Sequence, residues 1–214
     1  MVLLGLSSLA CVSLITVMLL ILRFQPLTET VSTTSFDVPG PQPTYTVAYM
    51  QITGLSQYAL AEAEAAAWAV DAQLVSANSS WPFVLNVEEI GLPSEWTYRF
   101  YSPDKERLFV VKVEPGGQTR SFEHVVKIIL PPPTLGADAW LIDSPTALAT
   151  WLDWGGADLV HKNPGLEVLA QLRYVNNYKQ PVWMIIGADQ RTQDIHVVLI
   201  DAYEGGVVST NASR

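Results

Sequence analysis

Residues Val197–Val208, "VVLIDAYEGGVV", place an acid at the end of an apolar run and follow it with a second acid and two glycines. Two interpretations fit this order: Asp201 and Glu204 belong to a catalytic or metal-binding loop, or a β-strand runs into a tight turn. Acid–base or metal chemistry needs convergent partners, and neither a D-x-D-x-D-G loop nor a His-x-His pair accompanies these two acids. We therefore predict a strand end at which the Asp201 carboxylate accepts hydrogen bonds from N–H groups of the turn.

The residues before this stretch predict the rest of a β-hairpin. "PVWMIIGA" (Pro181–Ala188) and "IHVVLIDA" (Ile195–Ala202) are apolar runs rich in β-branched residues, and the polar stretch "DQRTQD" separates them. Such runs around a polar turn are typical of paired antiparallel strands. A further strand is predicted at Leu166–Val175, so this part of the chain carries a small antiparallel sheet.

A helix is predicted upstream of these strands, over Asp143–Gly156, "DSPTALATWLDWGG". Ser144 is suited to the N-cap, and Pro145 stands in the first turn, where its missing N–H costs nothing. Gly155 or Gly156 can end the helix in a left-handed conformation. The second half of the chain therefore predicts one helix packed on an antiparallel sheet.

The first half repeats this order of elements. Gly54–Val75 predicts an Ala-rich helix, and Trp96–Ser102 and Arg107–Glu114 predict a hairpin around the turn "PDKE". The spacing from Trp96 through Leu108 to Glu114 equals the spacing from Trp183 through Ile195 to Asp201, and glycines follow both acids. This agreement favours a tandem repeat.

Prolines divide the two halves. The stretch "LPPPTLG" (Leu130–Gly136) cannot continue a helix or a central strand. We therefore predict an α+β fold with two tandem small modules at residues 45–130 and 134–214, each a helix packed on an antiparallel β-sheet.

An apolar segment precedes both predicted modules. Val2–Leu22 carries no charge, and at about 1.5 Å per residue it is long enough to cross a hydrocarbon core of about 30 Å as a helix. We predict a transmembrane anchor at residues 1–24, with the C-terminal part outside the cytoplasm, and a Pro-, Thr- and Ser-rich spacer at residues 25–44. A cleaved signal peptide is the alternative, but no basic residue precedes the run and no clear cleavage site follows it. Arg23, on the C-terminal side, taken alone favours the opposite orientation.

The second half resembles a PepSY-type domain, a small extracytoplasmic module named for peptidase propeptides and a spore-cortex protein. The resemblance covers about residues 140–208 and rests on "DSPTALA", "PVWMIIG" and "VVLIDAYEGGVV". The first half is a degenerate copy, because Pro115 stands in "KVEPGGQ" where an Ala would be and "SFEHVVKIIL" adds a strand. The resemblance implies a one-helix, antiparallel-sheet module that binds or restrains other proteins, peptidases among them, and it supplies no catalytic residues.

Composition and motifs narrow the function further. A net charge of −9 argues against nucleic acid as a partner. The single cysteine, Cys11, forms no intramolecular disulfide or cysteine-based metal site, and His124, His161 and His196 lack metal-ligand spacing. No nucleophile elbow, phosphate loop or dinucleotide motif occurs, so we predict no catalytic residues, no metal, no cofactor and no enzyme activity. His196 is predicted to be a partly exposed strand residue.

Two tryptophans are the candidate contact residues for a partner. Trp151 and Trp154 stand three apart on the predicted second helix and can form a patch for a protein partner, although packing in a small core is the alternative. The sequence thus predicts a single-pass membrane protein that binds or regulates an extracytoplasmic partner, with inhibition of a peptidase as one form of that regulation. The alternative is an accessory subunit of a membrane protein complex, in which the Val2–Leu22 helix packs against other spans.

Overall fold

A computed structural model describes residues 52–88, 90–136 and 140–211 of the chain. The helical elements are α1 (Gly54–Trp68), α2 (Ser144–Trp151), a π-helical turn (Leu152–Gly156) and α3 (Ala157–Lys162). The strands are β1 (Gln73–Val84), β2 (Trp96–Ser102), β3 (Arg107–Val113), β4 (Thr119–Glu123), β5 (Leu166–Val175), β6 (Gln180–Asp189), β7 (Asp194–Asp201) and β8 (Val207–Thr210).

The strands form one eight-stranded sheet in the order β4-β3-β2-β1-β5-β6-β7-β8. All neighbours are antiparallel. Side chains alternate between the two faces, and one face carries the core residues of the strands together with the buried residues of α1 and α2. We call the other face, which includes Thr97 and Met184, the open face.

The prediction of two separate helix-on-sheet modules is therefore wrong. Strand β1 pairs with β5 from Ser76–Arg173 to Trp81–Val168, so the hydrogen-bonded ladder runs without a break from the first half into the second. A sheet edge exposes unpaired N–H and C=O groups. The β1 edge of the first half and the β5 edge of the second half satisfy these groups by pairing with each other. The described residues accordingly lie in one compact unit.

A buried junction at the starts of α1 and α2 joins the halves on the helix-covered face. The N–H of Gly54 donates to Ser144 Oγ at 3.0 Å, and the N–H of Leu55 donates to Asp143 Oδ1 at 3.0 Å. These bonds satisfy N–H groups that a helix start leaves without intrahelical partners. A Cβ at Gly54 would lie 3.2 Å from both the Trp96 and Trp140 rings, closer than ordinary van der Waals contact, so glycine leaves room for the two rings.

The β2–β3 and β6–β7 hairpins share one register. Trp96 faces Val113 and Trp183 faces Ile200, while the turns occupy residues 103–106 and 190–193. The last residue of each turn, Glu106 and Gln193, has a positive φ of 53° and 64°. The two hairpins are thus alike, as the sequence spacing indicates. Both belong to one sheet, so their similarity does not mark two separate modules.

Element boundaries differ from the sequence prediction at both helices. Helix α1 ends at Trp68, and Gln73–Val75, predicted as its last turn, begins β1. The N-cap of α2 is Asp143, whose carboxylate accepts from the Ser144 N–H. Gly155 has the predicted positive φ, 109°, and together with Trp154 it leaves the helical conformation, so the chain kinks at this glycine before α3 begins.

The predicted anchor at Val2–Leu22 and the spacer at residues 25–44 lie outside the described residues. No helix within residues 52–88, 90–136 and 140–211 has the length and apolar character needed to cross a membrane.

Candidate functional site

Asp201 and Glu204, the acids of the opening stretch, lie at the turn between β7 and β8. Asp201 Oδ1 accepts from the N–H groups of Tyr203 at 2.7 Å and Glu204 at 3.0 Å. Asp201 Oδ2 accepts from Gln180 Nε2 at 2.9 Å. The predicted turn bonds are therefore confirmed, and both carboxylate oxygens of Asp201 hold the end of the sheet together.

Trp151 and Trp154 lie under the sheet rather than on a common surface. Trp151 is 0% exposed and belongs to the core, and Trp154 is half-buried against the same core. A Cβ at Gly156 would lie 2.5 Å from the Trp151 ring, and one at Gly187 would lie 2.4 Å from it, so the ring occupies a slot between two glycines. Trp151 presents no surface to a partner, and we place the candidate site elsewhere.

His196 lies beside this slot and is 7% exposed, so the expectation of a partly exposed histidine is wrong. Its ring centroid lies 6.1 Å from that of Trp151. Burial lowers the pKa of His196, while hydrogen bonds with the Trp154 backbone and the Asn211 side chain partly oppose that shift. The imidazole is therefore neutral at neutral pH.

We expect the protein to lose stability as the pH falls through about 6.5, the usual pKa of an unfolded-state histidine. Because the folded-state pKa of His196 is lowered, the unfolded state binds more protons in this range, and its stability relative to the folded state rises. The measurement is the melting temperature between about pH 7.5 and pH 5.5.

The matched comparison uses His196→Leu and His161→Gln, since His161 is exposed. Most of the decline should disappear in His196→Leu and persist in His161→Gln. An unchanged pH profile in His196→Leu would assign the decline to other groups.

The open face carries a cleft of about 440 Å³ across the centre of the sheet. Its polar side includes Asn78, Thr97 and Arg99 on β1 and β2. Its apolar side includes Leu169, Met184 and Ile186 on β5 and β6. Since β1 and β5 are the central pair, each half of the chain supplies one side of the cleft.

The charged groups on the polar side differ in their pairing. Glu95 forms ion pairs with Lys112 and with Arg120, the latter at 3.4 Å. Arg99 Nη1 donates to the neutral Asn78 Oδ1 at 3.3 Å. The cleft thus joins a charged and polar side to an apolar side, the combination that small-molecule and protein contact sites commonly have.

The sequence prediction missed this cleft for two reasons. Strand β1 was not predicted as a strand, and the pairing of β1 with β5 was not predicted. The polar stretch "QLVSANSSW" was not predicted as a strand, yet it forms β1 at the centre of the sheet. One signal was present: Asn78 and Ser80 alternate with buried Ala77, Ser79 and Trp81, the pattern of a strand with one covered face.

Known proteins add no identification. No protein-family model, no curated protein and no solved structure matches the chain. The PepSY-type resemblance stays a prediction that rests on the quoted motifs.

Within residues 52–88, 90–136 and 140–211, no three His, Cys, Asp or Glu side chains are grouped so that they could hold a metal ion.

Proposed function

We propose that this chain is a non-catalytic binding protein whose open sheet face contacts a protein partner outside the cytoplasm. The observation that carries the proposal is the cleft, where half-exposed apolar side chains lie directly beside polar and charged ones. Leu169 is 39% exposed in the middle of the sheet, next to half-exposed Met184 and Ile186, so a partner that covers them would remove further apolar surface from water. The Val2–Leu22 segment supplies the membrane anchor in this proposal, and sequence alone supports that part.

The test is site-specific photo-cross-linking in the full-length protein in its native membrane. A photoreactive residue replaces Thr97, which is half-buried in the cleft, or Thr146, which is exposed on α2 on the opposite side of the sheet. We expect a discrete adduct from position 97 and none from position 146. Met184→Asp, a change on the apolar side of the cleft, should abolish the adduct without unfolding the protein because Met184 is half-exposed.

Two results would contradict the proposal. An adduct from position 146 alone would move the contact surface to the helices. An adduct from position 97 that persists at full strength in Met184→Asp would show that the cleft does not recognise the captured protein.

A further inference from the structure

Two arginines on the open face have no acidic partner among the residues that the structure describes. Lys112 and Arg120 are neutralised by Glu95, and Arg120 also pairs with Glu114 at 2.7 Å. Neither Arg99 nor Arg173 has a carboxylate oxygen within 4.0 Å among the residues that the structure describes. In a protein of net charge −9, two cations on one face without an acidic partner in the described part of the chain form a distinct local feature.

Their positions on the sheet bring the two arginines toward one place. Ser76 of β1 faces Arg99 on one side and Arg173 on the other. With strands about 4.8 Å apart, the two arginine Cα atoms lie about 10 Å from each other on one face. An arginine side chain is long enough for both guanidinium groups to approach one ligand that lies across β1 and β5.

The present contacts of both guanidinium groups are weak and neutral. Arg99 Nη1 donates to Asn78 Oδ1 at 3.3 Å, and Arg173 Nη2 contacts Met184 Sδ at 3.8 Å. Asn78 and Met184 flank Gln171 in the neighbouring row of the sheet, so the two guanidinium groups lean toward Gln171 from opposite sides. Each guanidinium has five N–H donors, most of which remain for a ligand.

We propose that the open face binds an extended acidic segment of the partner, with Arg99 and Arg173 receiving its carboxylates and Leu169, Met184 and Ile186 receiving apolar side chains. This inference rests on the proposed function and adds the chemistry of the partner. A guanidinium binds a carboxylate through two parallel hydrogen bonds, which a neutral amide cannot reproduce.

The shape of the cleft favours an extended peptide as the source of the carboxylate. In an extended segment, residues i and i+2 lie about 7 Å apart and point to the same side. That spacing allows a carboxylate at the Arg99 guanidinium, which lies beside Asn78, and an apolar side chain two residues later over Leu169, a diagonal neighbour of Asn78 on β5. A fatty acid offers a carboxylate too, but its chain needs an enclosed pocket, and Leu169 is 39% exposed.

The test compares the binding of two capped peptides to the full-length protein in detergent. One places glutamate and leucine alternately on the same face of an extended strand, with serine between them (repeats of Glu-Ser-Leu-Ser), and the other replaces each glutamate with glutamine. We expect the glutamate peptide to bind about tenfold more tightly, as one charge-assisted pair implies. Arg99→Gln combined with Arg173→Gln should remove this preference, and Arg120→Gln combined with Lys112→Gln, the matched loss of two acid-paired cations, should retain it.

Several outcomes would overturn the inference. Equal binding of the two peptides, or binding of neither, excludes recognition of acidic segments at this face. Tight binding of decanoate without preference for the glutamate peptide would assign the site to a fatty acid. In each of these cases the cross-link from position 97 and its loss in Met184→Asp still decide the proposed function independently.

Discussion

Trp183→Ala is expected to lower the free energy of unfolding by about 4 kcal/mol and to destabilise both halves of the chain equally. Trp183 is 0% exposed, and its ring lies 6.1 Å from Trp96 and 5.8 Å from Trp140, centroid to centroid. Its Nε1 donates to the Ile142 carbonyl at 2.7 Å, directly before the start of α2. The substitution therefore opens a cavity at the junction and leaves the partly buried Ile142 carbonyl with one hydrogen bond fewer.

Denaturant unfolding measures the total loss, and native-state hydrogen exchange shows where it falls. In a single sheet, protection in β2–β3 should decline together with protection in β6–β7. Trp68→Ala is the control: it removes the same side chain from the far end of the sheet, where half-buried Trp68 stacks on Phe109, and should cost less. Unchanged protection in β2–β3 of the Trp183→Ala protein would restore the interpretation as two independent modules.

Most strands could be predicted from the sequence because their alternation is strong. In β2, the core-facing side chains are Trp96, Tyr98 and Phe100, as their spacing indicates. The ranges of β5, β6 and β7 are nearly those predicted. Prediction failed for β1, where the residue types do not indicate a strand but the pairing with distant strands produces one. The stretch that forms β1 is polar on the open face and short of β-branched residues, so only its pairing with β2 and β5 makes it a strand.

The pairing of β1 with β5 could not be predicted from hydrophobic periodicity either. Repeating order and the triple proline at residues 131–133 predict separate modules, but neither reports which strand edges meet. The cleft depends on that pairing, since Asn78 and Leu169 belong to different halves of the chain. The candidate site could therefore be found only after the sheet order was known.

Trp151 illustrates a second limit of sequence reasoning. A tryptophan near the end of a short helix can face solvent or the core, and the helix pattern alone does not decide between them. The decision lies in Gly187 of β6, which creates room for the Trp151 ring from the opposite side. The space for the Trp151 ring exists because Gly187, on a distant strand, has no side chain. The sequence around Trp151 therefore gives no indication that the ring is buried.

Gly187→Ala is therefore expected to lower the free energy of unfolding by about 3 kcal/mol, the upper range for overpacking a core. The new Cβ would lie 2.4 Å from Trp151 Cζ2 and 2.9 Å from Leu159 Cδ2, and neither a rigid indole nor α3 moves away without repacking. Gly116→Ala is the matched control, because no atom lies within 4 Å of its added Cβ, and it should change stability by no more than about 0.5 kcal/mol.

A double-mutant cycle isolates the contact between Gly187 and Trp151. Trp151→Leu alone creates a cavity and should cost about 3 kcal/mol, yet it also removes the ring atoms that meet the new Cβ. The combined variant should consequently lose clearly less stability than the sum of the two single losses, by about 1 kcal/mol or more. Additive losses would mean that the cost of Gly187→Ala arises from the backbone of β6, between Val168 and His196, rather than from the slot that holds Trp151.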